Sequence, residues 1–350
     1  MSWRLSVPSE ICTLNVPLMP QLQMTFACGL YDRMMALYTG EVRPEGIDLD
    51  FIAVHDPREL FDRMMGGLEF DASEMSASEY IIRRAEGDKT LVAIPVFPSR
   101  IFRHGFIAVN DRMVQKPSDL NGKRVGVQRY TMTAAIWIRG LLQHDYGVDL
   151  STIEWVEGAF ETTGSHGWLA KLPLLKPVTI TANTSGKSLS QLLEDGDIQA
   201  TIGADLPSCL ARAPHIRRLF PDFRAAEKEY YRRRKIFPIM HIVVLRRDFY
   251  EDHPFVATSL FNALSEAKEI AYKRMRYLGA LRYMLPWLAA DLDEIDDVFE
   301  GDPWPYGIEP NRRALEALVQ FLVEQSMLET VFPLEDLFVS VEAHNWDVIG

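Results

Sequence analysis

The stretch Ile236–Asp248, "IFPIMHIVVLRRD", sets a histidine, His241, at the head of an apolar β-branched run that ends in charge. Ile101–Asp111, "IFRHGFIAVND", repeats the device: His104 opens an apolar run, and an aspartate follows seven residues later in both stretches. Short apolar runs bounded by charge and turn residues read as buried strands. A chain that makes this strand twice, with a long segment between, is expected to cross twice between two bodies.

The elements around these strands support that reading. "QLQMTFAC", "IDLDFIAV", the start of "FDASEMSASEYIIRRAEG" and "LVAIPVF" read as strands, and helical patterns stand between them. "DPRELFDRMMGG" is a helix with Asp56 as N-cap, Pro57 at its first position and Gly66 at its stop. A second set follows: a strand in "KPSDLNGKRVGVQ", a long helix in "YTMTAAIWIRGLLQHDYG", a strand in "STIEWVEGAF", and a helix, turn and strand in "SLSQLLEDGDIQATIGA". Alternation of this kind makes an α/β fold with mainly parallel, mixed sheets flanked by helices. The expected division is residues 1–109 plus 243–350 for the first lobe and 110–242 for the second, with two crossover strands and a ligand cleft between the lobes. Ligands bind beyond the carboxyl ends of such strands and at lobe interfaces.

The 350 residues suffice for two lobes, and 47% hydrophobic with 25% charged residues is ordinary for a soluble globular protein. A net charge of −12 argues against nucleic acid as a partner. Charge is clustered: "DLDEIDDVFEGD" (Asp291–Asp302) holds seven acids and no base, whereas the segment around "YYRRRK" is basic. Solvated surface is the plain reading of both runs, and the basic run could also draw in an anion. Cys12, Cys28 and Cys209 are widely spaced and suggest neither a metal site nor a disulfide framework. No apolar run approaches the ~18 residues of a membrane span, and Pro8, Glu10 and Pro17 interrupt any signal-like core. A cytoplasmic protein is the expectation.

Taken in order, "LYDRMMALYTGEVRPEGIDLDFI", "FDASEMSASEYI", "FPSRIFRHGFIAVN", "DLNGKRVGVQRYTMTAAIWIRG" and "IFPIMHIVVLRRD" resemble the 4,5-dihydroxyphthalate decarboxylase family, over about residues 22–275. The resemblance implies a type 2 periplasmic-binding-protein-like fold, a carboxy-lyase of phthalate degradation yielding protocatechuate, an aromatic carboxylate as small-molecule partner, and a homo-oligomer.

Such a reaction needs an acid near a ring carbon, a base or metal near the hydroxyls, and cations for the retained carboxylate. The cationic candidates are Arg33 in "LYDR", Arg100 and Arg103 at the first crossing, and Arg129 in "GVQRYTMT". Tyr130, Thr131 and Thr133 would add hydroxyl donors at the start of the long helix, where free N–H groups attract anions. Thr131 or Thr133 could equally be a plain N-cap, and each arginine a surface ion pair. His241, His104 and Glu74 are the acid–base candidates. Glu74 stands among serines that include Ser76, at a turn that faces the ligand in the binding-protein fold. Trp304 and Tyr306 in "PWPYG" would wall the ring, and His166 in "TGSHGW" could serve a lid. No metal and no other cofactor is the base expectation. A divalent ion on the two histidines and Glu74 is the alternative that a chelating catechol raises. The rival functions are a non-catalytic binding protein for an aromatic or dicarboxylate anion, and a same-fold enzyme acting on another small molecule.

Overall fold

The computed structural model describes residues 21–164 and 174–344. Its first sheet takes β1 (Leu22–Cys28), β2 (Ile47–Ala53), β3 (Ala72–Ser76) and β4 (Leu91–Ile94), with α1 (Met35–Tyr38), α2 (Pro57–Gly67) and α3 (Ala77–Ala85) between them. Asp56 caps α2 by accepting from the Arg58 N–H, with Pro57 at the first position. The helix runs past Gly66 and stops at Leu68, which adopts φ 48°. The second sheet takes β5 (Ile107–Asn110), β6 (Arg124–Val127), β7 (Glu154–Glu157), β8 (Ile180–Ala182), β9 (Ala200–Ile202) and β10 (Ile216–Arg218). Its helices are α4 (Thr133–Tyr146), α5 (Leu189–Asp195), α6 (Cys209–Arg212) and α7 (Phe223–Arg234). The chain then returns to the first sheet as β11 (His241–Arg246), followed by α8 (Arg247–Asp252), α9 (Phe255–Arg276), α10 (Leu288–Phe299) and α11 (Arg312–Glu324).

The strand orders are β2-β1-β3-β11-β4 and β10-β5-β9-β6-β7-β8. Both sheets are mixed, with five parallel and four antiparallel pairs among the described residues. The antiparallel ones are β11 with β3 and β4, β5 with β9, and β10 with β5. Both antiparallel insertions, β5 and β11, come directly after a passage between the sheets. Ile107–Asn110 pairs in the second sheet, so the first change of sheet precedes residue 107 rather than falling at 109/110, and His241 already belongs to the first sheet. Backbone bonds between Ile101 and Pro238, and from Met240 and His241 to Ser99, zip the two passages together.

The C-terminal helix α11 turns its apolar face inward. Leu315, Leu318, Val319 and Leu322 are buried, and the helix packs on α3 and α4. Its Phe321 ring sits over Gly140 so closely that a Cβ there would lie 2.2 Å from the ring. Gly140→Ala is therefore expected to cost about 1–3 kcal/mol by overpacking, although alanine is the better helix former by about 1 kcal/mol. Urea denaturation reads this directly. Adding Phe321→Leu should recover part of the loss, and a neutral or stabilising Gly140→Ala would contradict the close approach.

Candidate active site

The register of β3 against β11 sets the site. His241 lies opposite Ser76, and Glu74 is the next residue along β3 on the same face. A slip of one residue would send them to opposite faces. In this register His241 Nδ1 and Glu74 Oε1 are 2.5 Å apart. Glu74 has no solvent exposure, yet its carboxylate is fully engaged. Tyr31 donates its hydroxyl to Oε1 at 2.9 Å, the Gly29 N–H donates to Oε2 at 3.0 Å, and the Cys28 thiol donates to Oε2 at 3.3 Å. Burial pushes the Glu74 carboxyl up, but the charge and hydrogen bond of His241, with the Gly29 and Tyr31 donors, outweigh it and hold the group below the usual carboxylate range. The same burial and the carboxylate push the Cys28 thiol and Tyr31 hydroxyl upward, so both stay donors. With Nδ1 committed, Nε2 is the nitrogen left for the cavity that His241 lines. Phe61 braces the ring edge-to-face, 4.9 Å between centroids.

That cavity, of about 280 Å³, lies between the sheets. Arg58 and Phe61 of α2 and Ser76 and Glu79 from the first-sheet side face Gln128, Arg129, Thr133 and Asp205 from the second. Arg103 and Met240 enter from the two crossings. The helices α2, α3 and α4 all start here. Met132, not Thr131 or Thr133, occupies the N-cap of α4, and no side chain caps it. Its N-terminal dipole is thus turned on the cavity. Thr133 instead latches the two sides: its Oγ1 lies 3.1 Å from Ser76 Oγ and 2.9 Å from Ser78 Oγ, and Ser78 Oγ donates to the Thr131 carbonyl.

The cations differ in how well they are compensated. Arg58 holds Glu79 at 2.6 Å and Asp62 at 2.5 Å, and Arg129 reaches Glu79 at 3.7 Å. Arg103 has no carboxylate within ion-pair distance among the described residues. Nε and Nη2 rest on the Met240 sulfur at 3.3 and 2.9 Å, and Nη1 donates to the Ala204 carbonyl at 3.1 Å. A thioether is a weak acceptor. Burial lowers the guanidinium pKa to about 10, still charged at neutral pH. Asp205 and Glu227 attract it from beyond ion-pair distance, and a buried cation whose direct hydrogen-bond partners are all neutral suits an anionic ligand.

Two curated proteins named 4,5-dihydroxyphthalate decarboxylase resemble the chain. The one from Comamonas testosteroni is 38% identical over 301 residues, covering 85% of this chain and 90% of that protein. The chain belongs to the 4,5-dihydroxyphthalate decarboxylase family. The Pseudomonas putida relative is 37% identical over 219 residues, covering 61% and 83%. No family model matches. Among solved structures, a Bordetella bronchiseptica protein superposes with TM-score 0.52 at 16% identity, covering 92% of this chain and 95% of that one. The periplasmic aliphatic sulphonate binding protein of Escherichia coli does so with TM-score 0.52 at 12% identity, covering 92% and 93%. These likenesses concern the fold, which is periplasmic-binding-protein-like.

In this decarboxylase-family cleft the structure brings together His241, Glu74, Ser76, Arg103, Arg129 and Thr133. The other expected residues stand elsewhere. His104 is enclosed by Tyr146, Phe220 and Tyr230, all edge-on within 5.9 Å, and neither ring nitrogen has a partner among the described residues. Burial pushes its pKa down to about 4. It is a neutral core residue, and the ligand set of two histidines with Glu74 is not assembled. Arg100 is spent on the Asn311 side chain and the Phe237 carbonyl. Tyr130 lies under the buried Arg139 guanidinium, 3.7 Å from its ring, and Thr131 contributes only its carbonyl. Arg33, Trp304 and Tyr306 lie outside the cavity, Arg33 and Trp304 at a separate hollow and Tyr306 buried. His166 falls outside the described residues. Arg58, Phe61, Gln128, Asp205 and Met240 were missed. The signal for Arg58 was present: a residue at the second position of a well-capped helix that points its N-terminus at a cleft.

His104 gives a pH signature. A histidine held neutral, with its pKa lowered from 6.5 to about 4, leaves the unfolded chain to bind the proton first. The stability it contributes is present above pH 6.5 and lost as pH falls toward 4, by about 3 kcal/mol at ~1.4 kcal/mol per pH unit. His104→Phe should lose less stability than the parent between pH 7 and 4.5 in urea titrations, with decarboxylation within about threefold of the parent. A loss of activity approaching that of a catalytic variant would return His104 to the site.

Proposed function

We propose that the chain decarboxylates 4,5-dihydroxyphthalate, or a close hydroxylated aromatic carboxylate, to protocatechuate and CO2 in phthalate degradation. The observation that carries the mechanism is the His241–Glu74 pair, set at the wall of a cavity that Arg103, a buried arginine with neutral hydrogen-bond partners, also lines. One ring hydroxyl of the substrate stands para to the departing carboxylate. Loss of its proton toward the open mouth, where Asp205 is exposed, raises electron density at the carbon bearing that carboxylate. His241 Nε2–H protonates this carbon. The C–C bond then breaks, its electron pair returns to the ring, CO2 leaves, and the hydroxyl regains its proton from solvent. Glu74 fixes the imidazole with Nδ1–H inward and stabilises the positive charge while the ring holds the transferable proton. Arg103, Arg129 and the start of α4 hold the retained carboxylate.

The names of both curated relatives favour chemistry over capture alone. A cytoplasmic homo-oligomer is the proposed setting. No helix among the described residues is long and apolar enough to cross a membrane. The exposed Tyr277, Leu278, Met284 and Trp287 supply apolar surface for self-association.

His241→Ala should lower kcat by roughly 10²–10⁴-fold, read as CO2 release from 4,5-dihydroxyphthalate. A loss under about threefold would remove it from the proton transfer. Arg103→Gln should raise KM by about 10–100-fold, the loss of a charge-assisted bond worth ~1.5–3 kcal/mol; unchanged KM and kcat would take it out of the clamp.

A further inference from the structure

The crossings that carry Arg103 and Met240 to the cleft turn other side chains outward. Phe102 of the first and Phe237 of the second stand 4.7 Å apart, centroid to centroid. With Phe299, Trp304 and Tyr272 they wall a separate hollow of about 340 Å³ between α9, α10 and the loop at 302–304. Ala271 and Met275, one turn apart on α9, form its floor. An apolar cavity of ~150 Å³ already takes up benzene, so this one has room for a substituted ring. Its rim is not wholly apolar. Arg33 lies over the Trp304 ring at 4.5 Å and the Tyr31 ring at 4.3 Å. Its Nε donates to the Pro98 carbonyl and Nη1 to Asp32, while Nη2 makes no hydrogen bond among the described residues. Lys268 is taken by Asp302, Glu269 and the Trp304 carbonyl.

We infer that this hollow is a second, non-catalytic site for a benzene ring bearing one carboxylate. The ring stacks among the aromatic walls and the carboxylate accepts from Arg33 Nη2. A dianion is disfavoured, because Asp32 takes Arg33 Nη1 and Asp302 takes Lys268, which leaves Nη2 of Arg33 as the one donor for a ligand carboxylate among the described residues. A singly charged ring is also what remains after an aromatic dicarboxylate loses CO2. The site adjoins the reaction centre on two sides: Phe102 precedes Arg103, and the Tyr31 on which Arg33 stacks donates to Glu74.

Calorimetric titration with benzoate tests this. The expected result is a binding component that Ala271→Trp, which fills the hollow, weakens at least tenfold while kcat/KM for decarboxylation stays within twofold. Arg103→Gln should leave that component in place, and benzamide, which lacks the charge, should bind about tenfold more weakly than benzoate. If Ala271→Trp does not fold, Met275→Trp, half-buried on the same helix face, carries the same arm. The inference is overturned if benzoate gives no heat at concentrations on the order of 10 mM, the weak end for so small a ligand. It is also overturned if filling the hollow leaves benzoate binding intact, if Arg103→Gln removes the only component, or if benzamide equals benzoate.

Discussion

A carboxylate with no access to water stands in the middle of β3, and the first sheet is arranged to keep it charged. An isolated buried carboxylate would protonate rather than stay ionised. Glu74 avoids this because three chain segments each bring a donor: β1 and the turn after it supply Cys28, Gly29 and Tyr31, and β11 supplies His241. Two of these come from the parallel β1–β3 side and one from the antiparallel return strand. The return of the chain to the first sheet is therefore what completes the charge, and the histidine that completes it is the residue the cavity meets. Breaking any one donor leaves part of a buried charge unpaired, a cost larger than the net worth of the bond removed.

The latch between the sheets follows from the same corner. Ser76, opposite His241 in the register, shares a hydroxyl network with Thr133 and Ser78. Trp137, one turn into α4, donates to the Ile239 carbonyl just before β11. The first turn of α4 is thus fixed to the strand that carries the histidine, and its uncapped N–H groups face the same space as Nε2.

Much of this architecture is legible in the sequence because it rests on local periodicity. The two histidine-led runs, the Asp56–Pro57 cap, and the alternation of strand and helix patterns all survive in the structure. What was not legible is pairing over long separations. The acidic run at 291–302 and the basic run after Arg224 each read as solvated surface. In the structure they form much of α10 and α7 and neutralise one another: Arg224 with Asp291 and Glu294, Lys228 with Glu294, Arg232 with Asp297. No spacing rule within either run announces its partner. Nor do these bases face the cavity, so the steering role suggested for them has no basis in the geometry.

The site shows the same limit at the scale of single residues. His104 and His241 head equivalent runs, yet His104 falls in the one-turn 3₁₀ segment just before β5 and is swallowed by aromatic rings, while His241 begins a strand whose neighbour carries a glutamate. The difference is made by the partner, not by the histidine's own surroundings in sequence. Arginine follows the same logic. Arg33, Arg100 and Arg103 all stand near the cleft in sequence, but Arg100 is consumed by Asn311 and a carbonyl, and Arg33 is stacked between Tyr31 and Trp304 behind it. Of these three, only Arg103 lines the cavity, with a thioether and a carbonyl as its hydrogen-bond partners. What separates these arginines is whether another group already occupies them, and that is a property of the fold.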